Sequence, residues 1–65
     1  MNRDEKLMKV MRNIIIEEKK IDRATLMKRV GLSINQYNRI KSHFEERFSN
    51  NVIYDKSEKT WRSCR

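Results

Sequence analysis

The chain has one glycine and no proline, and the glycine divides two stretches of helical periodicity. Leu26 and Val30 fall one turn apart, Gly31 follows them, and Leu32 comes next to plug a turn. A glycine enters the left-handed region at no steric cost, so it is a natural helix exit. Upstream, Asp22 stands where it can cap a helix over 23–30 by accepting from its unpaired N–H groups. Downstream, Ser33-Ile34-Asn35-Gln36 matches a capping box, with Ser33 as cap and Gln36 reaching back. Tyr37, Ile40, Phe44 and Phe48 then recur on one stripe, which predicts a helix over 34–48. The sequence therefore reads here as two short helices around a tight turn.

The flanks add a third helix and a hairpin. Over residues 4–18, Leu7, Val10, Met11 and Ile14 form an apolar stripe, with Ile15 beside it and Met8 at its margin. Ile16 falls opposite the centre of that stripe. It either packs under the turn at 19–21 or meets a second subunit. Ser49-Asn50-Asn51 is a turn signal. Val52-Ile53-Tyr54 reads as a strand, residues 55–59 as its tip, and Thr60-Trp61-Arg62 as the return. Alternation sends inward either Ile53 with Trp61 or Val52 with Tyr54. The first pairing is favoured, because a small core can hardly leave Trp61 out.

Sixty-five residues make one domain, 1–65, with a thin core and little room for a buried catalytic pocket. Sixteen Lys and Arg stand against nine Asp and Glu, a formal charge of +7. Such a balance points to an anionic partner, most often nucleic acid. Between Arg23 and Phe44 lie five Lys and Arg and no acidic residue. No segment pairs a bulky apolar face with a uniformly basic one, so no membrane role is expected. The start, Met1 to Lys6, is too charged for a signal peptide, and Ile14-Ile15-Ile16 is the longest aliphatic run. The single cysteine, Cys64, cannot form an internal disulfide. These features predict a cytoplasmic, nucleoid-associated protein.

Leu26, Val30, Gly31, Leu32, Tyr37 and Ile40 resemble the buried positions and turn glycine of helix-turn-helix DNA-binding proteins. With its flanks, over roughly residues 5–63, the chain resembles the winged variant. Met27 departs from the pattern, standing where many members place a small residue. The resemblance implies a mainly α fold with a small β-hairpin, in the order α-β-α-α-β-β. Ile21 would supply the isolated strand residue. It also implies double-stranded DNA as partner and transcription regulation as role, frequently as a homodimer. A replication, partition or chromatin accessory protein shares the same chemistry, and such folds are also reused as protein-docking modules.

With the Tyr37/Phe44 stripe inward, Asn35, Arg39 and Ser42 point away, flanked by Gln36, Asn38 and His43. These six side chains are of the kinds that read bases: Arg suits guanine, Asn and Gln suit adenine. The plain alternative is a solvated face, which would ordinarily hold more Glu and Lys. Arg23, Thr25, Lys28, Arg29, Ser33 and Lys41 suit phosphate, Thr25 from a helix N-terminus. Any one of the lysines could equally be only solvated. Lys56 and Lys59 bracket the hairpin tip, and Arg62 and Arg65 follow. They either contact DNA backbone, as wings do, or protect an edge strand from aggregation. Met8, Ile15 and Ile16 leave more aliphatic surface than one thin core can absorb, which predicts a homodimer through the first helix. His43 has no companion ligands, so no metal is expected, and neither a cofactor nor a small-molecule ligand is evident. No catalytic spacing is present, and the chain is expected not to be an enzyme.

Overall fold

The computed structural model describes residues 3–64. The elements are α1 (Arg3–Glu18), β1 (Lys20–Asp22), α2 (Arg23–Val30), α3 (Ile34–Arg47), β2 (Val52–Asp55) and β3 (Thr60–Ser63). Three helices thus pack with one small antiparallel sheet of order β1-β3-β2. The isolated strand is longer than expected: three residues rather than one, pairing Lys20 with Arg62, Ile21 with Trp61 and Asp22 with Thr60.

Local chemistry sets the helix ends. Asp22 accepts the Thr25 N–H at 3.0 Å and the Thr25 hydroxyl at 2.7 Å. α2 ends at Gly31, whose φ of 84° is left-handed and whose N–H donates to Met27 O. Ser33 and Gln36 form the expected capping box, the Ser33 Oγ accepting the Gln36 N–H and Gln36 Oε1 accepting the Ser33 N–H. Those two caps hold α2 and α3 at the angle that a three-residue turn allows.

The core is built around Trp61 and Tyr37, both with no exposed surface. Trp61 lies on the middle strand. Ile21 is opposite it on one side and Tyr54 on the other. Phe44 meets the indole edge-on at a centroid distance of 4.9 Å, and Tyr54 packs at 4.8 Å. The Trp61 indole N–H donates to the Tyr37 hydroxyl at 3.1 Å in a buried contact. Burial pushes the Tyr37 phenol above its ordinary pKa, while the bond from Trp61 pulls it the other way.

Two expectations are corrected by the packing. The inward residues of the hairpin are Val52 and Tyr54, not Ile53, which is 55% exposed. Directly opposed residues of a ladder share a face, and Tyr54, not Ile53, is opposite Trp61. Trp61 is inward as expected; its companion was misassigned. In α1 the buried residues are Met8, Met11 and Ile15, whereas Val10 is exposed. The helix is therefore turned by roughly 80° about its axis from the expected stripe, at about 100° per residue. Arg12 lies over the Phe48 ring at 5.4 Å and marks the side on which α1 is covered. Met8 (6% exposed) and Ile15 (0%) belong to the core, and Ile16 is half-buried. Of the three residues expected to form a homodimer interface on α1, Met8 and Ile15 thus pack inside the molecule, while Ile16 keeps part of its surface at the solvent boundary.

The buried Trp61–Tyr37 bond should be measurable. Tyr37→Phe leaves a buried indole N–H without its acceptor, so stability falls by about 1–3 kcal/mol. Urea unfolding followed by Trp61 fluorescence measures this. A loss within error of zero would mean that the indole finds another acceptor.

Candidate nucleic-acid interface

The inward stripe of α3 determines what its outward face carries. Tyr37, Ile40 and Phe44 are buried, and Phe48 caps the helix while packing on Phe44 at 5.4 Å. Asn35, Asn38, Arg39, Ser42 and His43 are all exposed, while Gln36 is half-buried. Five of the six expected base-reading residues therefore stand in solvent on one helix.

The six are not equally available. Gln36 has its carbonyl oxygen engaged by the Ser33 N–H. It cannot pair with adenine through both amide atoms without opening the capping box. His43 leans toward α1, lining a groove of about 460 Å³ with Asp4, Glu5, Met8, Ile40, Glu46 and Arg47. Arg39 Nη2 donates to Asp4 Oδ1 at 3.2 Å. Asn35, Asn38 and Ser42 show no such engagement among the described residues.

The expected phosphate contacts divide in the same way. Lys28, Lys56 and Lys59 are exposed and have no ion-pair partner among the described residues. Lys41 is half-buried, its ammonium 5.7 Å from the centre of the Tyr54 ring. That contact steadies the Lys41 stem between α3 and the hairpin. Arg29 is paired with Glu18 at 2.9 Å and Arg62 with Asp55 at 3.6 Å. Both remain about half exposed, so either pair can exchange with another anion. Arg65 lies outside the described residues.

The N-terminus of α2 is already engaged by the Asp22 cap. Thr25 was expected to offer a hydroxyl and backbone N–H groups to phosphate. The Asp22 carboxylate already accepts both, so the anion at this helix end is the chain's own. The Thr25 hydroxyl and N–H hold the Asp22 carboxyl below its ordinary pKa. Ser33 is affected less: its oxygen accepts within the cap, and its hydroxyl proton remains for donation.

The hairpin tip is tied to α2. The Arg23 N–H donates to Lys59 O at 2.9 Å, which fixes the tip beside the start of that helix. Asp55 organises the turn by accepting from the Ser57 hydroxyl at 2.8 Å and from the Ser57 and Glu58 N–H groups. These bonds, led by the Ser57 hydroxyl, hold the Asp55 carboxyl low as well. Lys59 adopts φ 52°, a left-handed conformation in a non-glycine residue.

Sequence reasoning missed the α1–α3 ion pairs. Besides Arg39–Asp4, Arg47 Nη2 donates to Glu5 Oε1 at 2.6 Å. The sole local signal was an acidic first turn on α1, which also suits that helix's dipole. Charge on α3 is thereby split. On its hairpin side Lys41, near Tyr54, is followed one turn later by Glu45; on its α1 side Asp4 and Glu5 stand against Arg39 and Arg47, with Glu46 lining the same groove. Among the described residues no three His, Cys, Asp or Glu side chains gather as metal ligands would. No helix is long and apolar enough to cross a membrane. No family model, curated protein or solved structure matches the chain.

A pH dependence follows from Asp22. Its folded pKa lies below the unfolded value, so the carboxylate stabilises the fold fully above that unfolded value. The contribution is lost as pH falls through the folded pKa, below about pH 4. Asp22→Asn should lower the Tm at pH 7 and leave it almost unchanged at pH 2. Equal losses at both pH values would show that the capping geometry, not the charge, matters.

Proposed function

We propose that this chain is a winged-helix protein that binds double-stranded DNA, with α3 in the major groove and the β2–β3 hairpin against the backbone. Its role on this reading is transcription regulation in a nucleoid-associated setting. Replication, partition or chromatin accessory roles use the same chemistry. The proposal is of a binding protein rather than an enzyme.

One observation carries it. The outward face of α3 is polar, exposed and rich in groups that pair with base edges: Asn35, Asn38, Arg39 and Ser42. Asn and Arg can each make two hydrogen bonds to one base in the major groove. No acidic residue lies between Arg23 and Phe44 to repel a duplex there. The lysines of the hairpin and Lys41 stand on one flank, where a phosphate strand would run. The hairpin is tied to α2 by the Arg23–Lys59 bond and touches α3 through the Lys41–Tyr54 contact.

A protein-docking module is the alternative, and it would favour apolar groups on the same helix. Ile34 is the only large apolar residue exposed on α3 among the described residues. It lies at the helix start, off the outward line.

A salt titration of binding to short duplexes tests the proposal. Counterion release predicts a linear fall of log affinity with log salt, about 0.9 per phosphate neutralised. Lys56→Ala with Lys59→Gly should weaken binding to all sequences alike and reduce the slope by about two. Glycine is chosen at 59 because it keeps the left-handed turn while removing the charge. An unchanged slope would leave the hairpin lysines as guards of the edge strand β2. Asn38→Ala should instead cost about 1–3 kcal/mol on a preferred site and little on random DNA. Absence of duplex binding at low salt would overturn the proposal.

A further inference from the structure

α3 carries two arginines, and the first turn of α1 sets a carboxylate against each. Asp4 takes Arg39 and Glu5 takes Arg47, across 35 and 42 residues of sequence. The Arg39 side chain remains 64% exposed and Asp4 35%. Their contact is one hydrogen bond, from Nη2 at 3.2 Å. A guanidinium has five N–H donors, so most of the fork is still open to solvent.

The consequence depends on what approaches. A phosphate oxygen reaching Arg39 must come close to the Asp4 carboxylate, with Glu5 and Glu46 lining the same groove. Like charges oppose that approach. Moving Arg39 from Asp4 to phosphate also replaces one charge-assisted bond by another of the same kind. The edge of guanine is different. It is neutral, and its O6 and N7 accept two hydrogen bonds. Arg39 can offer these while keeping Nη2 on Asp4, and no negative charge is brought to the carboxylate.

We propose that Asp4 is a specificity-determining residue, a phosphate surrogate that keeps Arg39 off the duplex backbone and leaves it for a base edge. It discriminates by repulsion rather than by a contact of its own. The inference rests on the DNA-binding reading of α3. It adds a direction to it: phosphates run along the hairpin flank and are excluded from the α1 flank.

The test compares affinities for a short duplex of random sequence. Asp4→Asn should tighten that binding by roughly threefold to tenfold and steepen the salt slope by about 0.9, as one more phosphate is engaged. Glu17→Gln removes the same charge from an exposed site at the other end of α1. It should give a smaller gain and no change of slope. In an Arg39→Ala background, Asp4→Asn should do no more than Glu17→Gln does. Duplexes selected from a random pool by the Asp4→Asn variant should show a weaker guanine preference at one position than those selected by wild type. The proposal is overturned if Asp4→Asn matches Glu17→Gln, or if its gain persists without Arg39. A loss of affinity on random and selected duplexes alike would also overturn it, making Asp4 a support for Arg39. Failure of wild type to bind any duplex removes the DNA-binding reading itself, before any variant is compared.

Discussion

Trp61 is the joint on which the molecule depends. It sits in the middle strand, so β1 and β2 both pair with the segment that holds it. Its ring meets Phe44 from α3 and Tyr54 from β2, and its N–H reaches Tyr37 on α3. One side chain thus connects the sheet to the helix whose other face is polar. A domain of this size has few such anchors, because so little of its surface can be buried. The indole provides area, edge-to-face geometry and one directional bond together. That directional bond matters most for how α3 is oriented. Apolar contact would tolerate rotation of α3 about its axis, whereas a hydrogen bond to one hydroxyl limits it. Asn35, Asn38 and Ser42 point outward because Tyr37 is held inward.

The charge pattern follows from the same placement. With α3 fixed, its two flanks meet different neighbours. On one side α1 brings its acidic first turn, placed there by the burial of Met8, Met11 and Ile15. On the other side the hairpin brings Lys56 and Lys59, held near α2 by the Arg23–Lys59 bond. A net charge of +7 says that the protein attracts polyanions. The asymmetry across α3 says more, because it gives the attraction a direction. Arg39 is exposed and touches the acidic turn of α1 through Asp4, so on the proposed reading that single contact would have leverage.

How much of this was legible depended on the range of the interaction concerned. Asp22, Gly31 and the Ser33–Gln36 box act over one to three residues, and each was readable where it stood. The α3 stripe was equally plain, since beyond Ile34 at the helix start Tyr37, Ile40, Phe44 and Phe48 leave only polar residues on the helix. α1 was harder. Leu7, Met8, Val10, Met11, Ile14, Ile15 and Ile16 spread around much of its circumference, so periodicity alone left the phase open by about a quarter of a turn. The inward face of the hairpin failed for a different reason. Alternation fixes which residues share a face within one strand, but register between strands decides which sets combine. Size singled out Trp61; only the ladder shows that Tyr54 opposes it. The Arg39–Asp4 pair was beyond reach for the same cause, since nothing local relates residues 35 positions apart.

Three of the described residues are left-handed, and only one is glycine. Gly31 turns α2 into α3, and an added Cβ there would touch nothing within 4 Å, so backbone conformation alone favours glycine. Lys19 and Lys59 adopt φ 68° and 52° without that freedom. A lone left-handed residue of this kind costs about 1–2 kcal/mol. Both stand at the ends of the β1–β3 ladder, and both use their carbonyls there. Lys19 O accepts the Ser63 N–H and Lys59 O accepts the Arg23 N–H, each at 2.9 Å. Each strained turn therefore adds a bond that extends the three-residue β1 by one rung at either end. Those rungs flank the Ile21–Trp61 pair on both sides. The strain lies outside the core, at two exposed positions, while the order it produces lies inside. Lysine at position 59 also sets an exposed charge on the tip beside the start of α2, so the residue that closes the sheet is also one that, on the proposed reading, would meet a phosphate.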